Sequence, residues 1–173
     1  MKGDLPPSPA LSIVRNGPQS FKGRKLGVLV TDGADTKLLA ALQQAAEAEG
    51  ALIEIVAPTV GGVIASDGNP IPAKQKINGG PSVLYDAIAV IASTEGAALL
   101  AREATAKDFI SDAFAHAKFI AYSEAAATLF EKAGVPETDG GFVALKQPAD
   151  AKRFVDACRK LRFWEREAKV HAV

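Results

Sequence analysis

Three short stretches of this chain carry residues whose types and spacing could do chemistry. The first, Thr31-Asp32-Gly33-Ala34-Asp35-Thr36, follows an apolar run and brings two carboxylates close together. Such a pair could serve acid–base catalysis or hold a hard cation. The same residues also make an Asx turn followed by a helix N-cap, which is the simpler reading. The second, Tyr122-Ser123-Glu124, falls where a strand turns into a helix, the place of a nucleophile elbow. Alanines 121, 125, 126 and 127 stand where the close-packing glycines of such an elbow would be. No obvious base accompanies Ser123, since His116 ends the preceding helix and His171 lies in the tail. Here too a cap is the simpler reading. The third is Cys158, spaced with Ala151, Phe154, Val155 and Leu161 on one helical stripe, where a thiol behaves as a small hydrophobe. The glycine pairs 61–62, 79–80 and 140–141 fit neither a dinucleotide fingerprint nor a Walker loop, and read as turns.

The elements that must position these residues alternate in kind. Residues 26–30 (LGVLV) form a continuous apolar run, as expected of a strand buried on both faces. A helix is predicted over 36–49, with Leu38, Ala41, Leu42 and Ala45 at helical spacing and Gly50 at its stop. Residues 52–56 make the next strand, and the strand–helix–strand unit implies a parallel sheet. Further strands are predicted at 87–92, 119–122 and 142–145, with helical material at 96–102. Thr105-Ala106-Lys107-Asp108 reads as a capped helix start leading to Phe109, Ile110, Ala113 and Phe114. Another helix places Ala126, Leu129, Phe130 and Ala133 inward and stops at Gly134, and a closing helix begins near Pro148, a first-turn proline. Between the second and third parallel strands, residues 63–65 and 70–73 flank Asp67-Gly68 as a hairpin. The sum is an α/β fold with a doubly wound, mostly parallel sheet and a β-hairpin insertion.

Residues 1–22 differ from the rest. Four of the ten prolines lie there, so this stretch is expected to be an extended linker or arm, with 23–173 forming the domain. Leu11, Ile13 and Val14 are the arm's apolar cluster. At the other end, Phe163 and Trp164 fall off the stripe of the closing helix; either the helix ends before them or they meet another surface.

Composition excludes several functions. Twenty Lys and Arg balance twenty Asp and Glu, which argues against nucleic acid or an anionic membrane as the main partner. A single cysteine makes no internal disulfide and points to a reducing, cytoplasmic compartment. The longest notable uncharged run, 55–66, is 12 residues and is broken by Pro58, Gly61 and Gly62, against about 18 for a membrane span. The first residues, Met1-Lys2-Gly3-Asp4, do not read as a secretory signal. No metal site is expected.

The segment from Gly23 to Asp35 (GRKLGVLVTDGAD) resembles the start of the C-terminal domain of large-subunit haem catalases. So do Ala65-Ser66-Asp67-Gly68 with Pro70 and Pro72, then Pro81-Ser82-Val83-Leu84-Tyr85-Asp86-Ala87, and Phe163-Trp164-Glu165-Arg166-Glu167. Ser8-Pro9-Ala10-Leu11-Ser12-Ile13 resembles the connector into that domain. The resemblance implies a flavodoxin-like fold of the DJ-1/PfpI superfamily, whose members carry an elbow cysteine and a nearby glutamate. Here the elbow position falls on or beside Glu124, next to Ser123, and the acid position on Asp35, so these three are vestigial candidates with no cysteine among them.

The resemblance further implies a chain that is itself non-catalytic and needs no cofactor, the haem and the breakdown of hydrogen peroxide belonging to a separate domain of the parent enzyme. Its expected partners are that haem domain and neighbouring subunits. A chaperone-like holdase role toward unfolded client proteins also follows, with Leu11, Ile13, Val14, Phe163 and Trp164 as the apolar surface. The alternative is a free-standing DJ-1/PfpI-like hydrolase using Ser123 or Glu124; a flavodoxin-like binding module is a third, without a phosphate loop to support it.

Overall fold

Apolar runs too short for helices and flanked by turns become the inner strands of one sheet. In the computed structural model, which describes Pro6 and residues 8–170, the order begins with α1 (Ile13–Asn16), β1 (Lys25–Val30), α2 (Thr36–Glu49) and β2 (Leu52–Ala57). The hairpin β3 (Val63–Ile64) and β4 (Pro70–Ile71) follows, then β5 (Gln75–Lys76), β6 (Ala87–Ile91), α3 (Thr94–Leu100) and α4 (Ala104–Ala115). The chain continues with β7 (Ile120–Tyr122), α5 (Thr128–Lys132), β8 (Phe142–Ala144), α6 (Ala149–Cys158) and α7 (Glu167–Val170). Residues 1–5 and Pro7 of the expected arm, and His171 in the tail, lie outside the described residues.

The six-stranded sheet has the order β5-β2-β1-β6-β7-β8, with every neighbouring pair parallel. Strand order reverses between β1 and β6, which sets the topological switch point there. Leu26, Val28 and Val30 of β1 face one side, where α2 and α6 cover them through Leu38, Leu42, Phe154 and Val155. Leu29, with Ile88 and Val90 of β6, faces the other side, under Leu100, Phe109, Ile110 and Leu129. Helices on both faces make the sheet doubly wound, and β3 and β4 pair antiparallel as the expected hairpin.

Several local expectations need correction. The arm is not simply extended: Pro9–Leu11 forms a 3-10 turn, and Ser12 Oγ accepts from the Arg15 amide at 3.2 Å to start α1. Asn16 Nδ2 holds the bend by donating to Pro9 O at 2.9 Å and Ala10 O at 3.1 Å. At the end of the arm, Phe21 is fully buried in the core. Helix α3 starts at Thr94, because Ser93 Oγ accepts from Gly96 N at 3.0 Å and caps it. Thr105 lies inside the first turn of α4, whose N-cap residue Glu103 makes no side-chain cap bond. Pro148 is the N-cap residue of α6, one position before the first turn. Of the two readings for Phe163 and Trp164, the helix ends first: α6 stops at Cys158 and Leu161 takes a φ of 65°. Phe163 then packs edge-on against Phe119 with ring centroids 6.1 Å apart.

Two buried cations tie the far side of the sheet together. Arg166 is fully buried and forms a two-armed pair with Asp139, Nε to Oδ2 at 2.8 Å and Nη2 to Oδ1 at 2.9 Å. Its Nη1 donates to Lys118 O at 2.7 Å, and its guanidinium carbon lies 4.9 Å from the Phe114 and Phe142 ring centres. Gly141 makes room for this, since a Cβ there would collide with the Arg166 guanidinium. Burial alone would raise the Asp139 carboxyl, but the Arg166 side chain and the Gly141 amide hold it below its ordinary value. Arg166→Met leaves that carboxylate buried and unpaired, and is expected to cost about 3–5 kcal/mol in chemical denaturation. Adding Asp139→Asn should recover part of the loss, because the pair is then removed as a unit.

Lys118 is the second buried cation, its Nζ donating to Ser82 O at 2.6 Å. Burial, with Arg162 nearby, pushes its ammonium down to about 8. An unfolded lysine titrates near 10.4, so between those values the unfolded chain binds the extra proton and stability rises with pH. Tyr85 acts oppositely: burial and its bond to Glu54 raise its hydroxyl, so above about pH 10 the unfolded chain loses the proton first. Urea midpoints should therefore climb from pH 8 toward pH 10 and then fall. Lys118→Met should flatten the climb and leave the fall; a climb that survives the substitution refutes the assignment.

Candidate functional site

Ligands in open parallel sheets gather outside the carboxyl ends of the strands at the switch point, so the loops after β1 and β6 decide what this domain can do. Both loops are tightly bonded to one another. Thr31, buried at the end of β1, accepts from Ser93 N at 3.2 Å through Oγ1. Ser93 Oγ donates to Asp32 O at 2.7 Å while capping α3. Gly96 lets α3 come this close, because a Cβ there would overlap the Thr31 side chain. Asp32 Oδ1 accepts from Ile64 N at 2.8 Å and Gly33 N donates to Ile64 O at 2.7 Å, which fastens the hairpin over the same loop.

The expected site residues do not converge. Asp35 caps α2, its Oδ1 accepting from Lys37 N at 2.7 Å and Leu38 N at 3.1 Å, in line with the simpler reading of that stretch. Ser123 is not a cap. It is buried, and its Oγ accepts from Ala92 N at 3.0 Å and donates to Ala92 O at 2.9 Å, so one side chain satisfies a whole peptide unit at the end of β6. Its own amide donates to Val90 O at 2.9 Å, which fixes the turn after β7. The hydroxyl proton is thus committed to a carbonyl. His116 ends α4 at the amino end of β7, the far end of the strand from Ser123. Glu124 is exposed at the start of a 3-10 turn. Since β6 lies between β1 and β7, the Asp35 and Ser123 loops stand about two strand spacings, ~10 Å, apart.

Cys158 is fully buried, and burial, then Asp86, pushes its thiol well up, so it is a core side chain. Leu11, Ile13 and Val14 are exposed, while Phe163 and Trp164 are half-buried. The structure brings most of this set together: Ile13, Val14, Phe163 and Trp164 line one concavity of about 240 Å³ with Arg162 and Lys160.

Sequence reasoning missed a crevice of about 420 Å³ at the switch point, lined by Pro58, Val63, Leu99, Asp32, Glu95 and Glu103 among others. The signal was present in the Ser-Thr-Glu run at 93–95 directly after a buried strand. Among the described residues no group of three or more His, Cys, Asp or Glu is arranged to hold a metal ion, and no helix is long and apolar enough to cross a membrane.

Residues 22–168 match the model of the C-terminal domain found in long catalases. This chain belongs to that family. It is 53% identical over 168 residues to Catalase C of Rhizobium meliloti, covering 96% of this chain and 24% of that protein. Against Catalase HPII of Pseudomonas putida the identity is 35% over 170 residues, 98% of this chain and 23% of that protein. The chain therefore spans about a quarter of the length of these relatives. Among solved structures, Drosophila melanogaster DJ-1beta superposes with a TM-score of 0.68 at 16% identity, covering 87% of this chain and 96% of that one. Toxoplasma gondii DJ-1 gives 0.66 at 18% identity over 86% and 96% of the two chains. These likenesses establish a DJ-1-like, flavodoxin-like fold, in agreement with the sequence reading.

Ser123→Ala removes both partners of the buried Ala92 peptide, and should cost about 1–3 kcal/mol in urea denaturation. Unchanged stability would mean that the hydroxyl is not part of the framework.

Proposed function

We propose that this chain acts as the C-terminal domain of a large haem catalase, itself non-catalytic, stabilising the assembly against the haem domain and neighbouring subunits. The observation that carries the reading is the identity of 53% over almost the whole chain to one region of a protein named as a catalase. The chain's own residues support a separate seat for haem. Tyr85 donates to buried Glu54 at 2.9 Å and Tyr122 packs against Phe130 with centroids 4.8 Å apart, so neither is placed as an axial ligand. The residues present do not fit a haem site. The hydrolase reading loses its support with Ser123, whose hydroxyl is bound at Ala92 on both sides.

Separated from its partners, the domain is a holdase: the concavity formed by Ile13, Val14, Phe163 and Trp164, with Leu11 86% exposed beside Ile13 in the chain, offers apolar surface to unfolded clients. The single, buried cysteine suits a cytoplasmic setting.

Light scattering of a heat-labile client enzyme tests this, with an inert protein of similar size as control and peroxide decomposition read from the same sample. Suppressed aggregation without peroxide breakdown is expected. Leu11→Ser, Val14→Ser and Trp164→Ser together should abolish the suppression; Phe163 is left intact because it packs on Phe119. Suppression that survives the triple substitution, or peroxide breakdown by this chain alone, overturns the proposal.

A further inference from the structure

The switch-point crevice has a character of its own. Its walls carry three carboxylates, Asp32, Glu95 and Glu103, and no lysine or arginine. Among the described residues none of the three is in an ion pair, although Glu49, Glu54, Asp139 and others are. The floor is apolar, built from Pro58, Val63 and Leu99, and Leu99 is 64% exposed. Val60 and Ile64, next in the chain to lining residues, are exposed as well, at 78% and 51%. An acidic rim around an aliphatic floor fits a segment with branched side chains next to a cation.

One segment of this chain has that chemistry. Residues 8–22 contain Arg15 and Lys22 and no Asp or Glu, and Arg15 directly follows the exposed pair Ile13 and Val14. Arg15 makes no ion pair among the described residues, and it lies in a turn that presents it to solvent. The arm leads into β1 at its amino end and borders the concavity of Phe163 and Trp164, whereas the crevice lies beyond the carboxyl ends of β1, β2 and β6. The two complementary surfaces thus sit at opposite ends of the sheet, separated by the ~20 Å length of a six-residue strand.

We propose that the crevice receives the arm of a second copy of this chain, with Leu11, Ile13 and Val14 on the aliphatic floor and Arg15 against Glu95 and Glu103. The contact is head to tail. A copy whose crevice is filled still offers its own arm, so association does not stop at a dimer. It also covers the aliphatic side chains assigned above to client binding, and so competes with that function.

Sedimentation velocity of the full chain at rising concentration is the test. The average sedimentation coefficient should climb, less so in high salt, since the charged contacts are screened. Arg15→Glu alone, and Glu95→Arg with Glu103→Arg in a second variant, should each weaken association about tenfold or more. All three positions are exposed, so both variants should fold as the parent does. An equimolar mixture of the two variants should associate again, because each arm then meets a crevice of opposite charge. A parent chain that stays monomeric, an Arg15→Glu chain that associates like the parent, or a mixture that stays monomeric overturns the proposal. So does a monomeric parent that binds an unrelated basic, aliphatic peptide, which assigns the crevice to another partner. The Glu95→Arg, Glu103→Arg variant keeps its arm and should still protect a client; failure there counts against the client surface and leaves the crevice assignment standing.

Discussion

A fully buried guanidinium is expensive unless each of its faces and edges is occupied, and around Arg166 each one is. Asp139 takes two nitrogens, the carbonyl of Lys118 takes the third, and the Phe114 and Phe142 rings lie against the delocalised charge. These groups come from the loop before β8, the end of α4, the link into β7 and β8 itself. The turn that carries Arg166 therefore closes over the sheet edge and carries Phe163 with it onto Phe119. The guanidinium thus holds the tail folded back together with the Phe163 amide, which donates to Ala117 O at 2.7 Å, and the concavity shared by Phe163, Trp164 and the arm lies beside this fold-back. The surface proposed for partners adjoins a buried ion pair on the side of the sheet away from the switch point.

At the switch point polar side chains are likewise satisfied by the backbone. A serine at a strand-to-helix turn can serve as a nucleophile only if its proton has somewhere to go and its oxygen faces a substrate. Ser123 instead spends donor and acceptor on one peptide of β6. Ser93 and Thr31 do the same between β1 and α3. The fold common to DJ-1 proteins is retained here with its strand-end loops bonded to each other. What remains at that end is a recess lined by Asp32, Glu95 and Glu103, none of them in an ion pair among the described residues.

The parts of this arrangement legible in the sequence were those written in periodic apolar residues. The helix over 36–49 was read to its observed bounds, because Leu38 and Leu42 repeat on one face and Gly50 stops it. The inner strands were read for the same reason, since β1 and β6 are buried on both faces and show as unbroken apolar runs. Strand β5 was missed: Gln75-Lys76 has no apolar pattern, and only pairing with β2 makes it a strand. Nothing in the sequence around Arg166 marks it as buried, because its partners Asp139, Lys118, Phe114 and Phe142 are distant in the chain. Ser123 was read as a cap because serine before glutamate at a helix start usually is one; its real partner, Ala92, is a neighbour across the sheet and 31 positions away. The cap of α3 lies outside the helix expected at 96–102, because Ser93 stands three residues before the Gly96 amide that it accepts from.

The distribution of unpaired charge follows from this division. Carboxylates that the fold requires are held by cations: Glu49 by Arg159, Glu54 by Lys25 and Lys74, Asp139 by Arg166. Those that ring the switch point are held by none among the described residues, and the stretch 8–22, with Arg15 and Lys22 and no acid, leads into the opposite end of the sheet. A folded chain gains nothing internally from either surface, because the strands keep them apart. Charge separated along the strand axis in this way can be neutralised by contact between molecules, and a domain that is covalently joined to a larger enzyme would meet such a contact at high local concentration. The self-association proposed above rests on this polarity, and the same polarity would orient the domain against any larger protein to which it is joined.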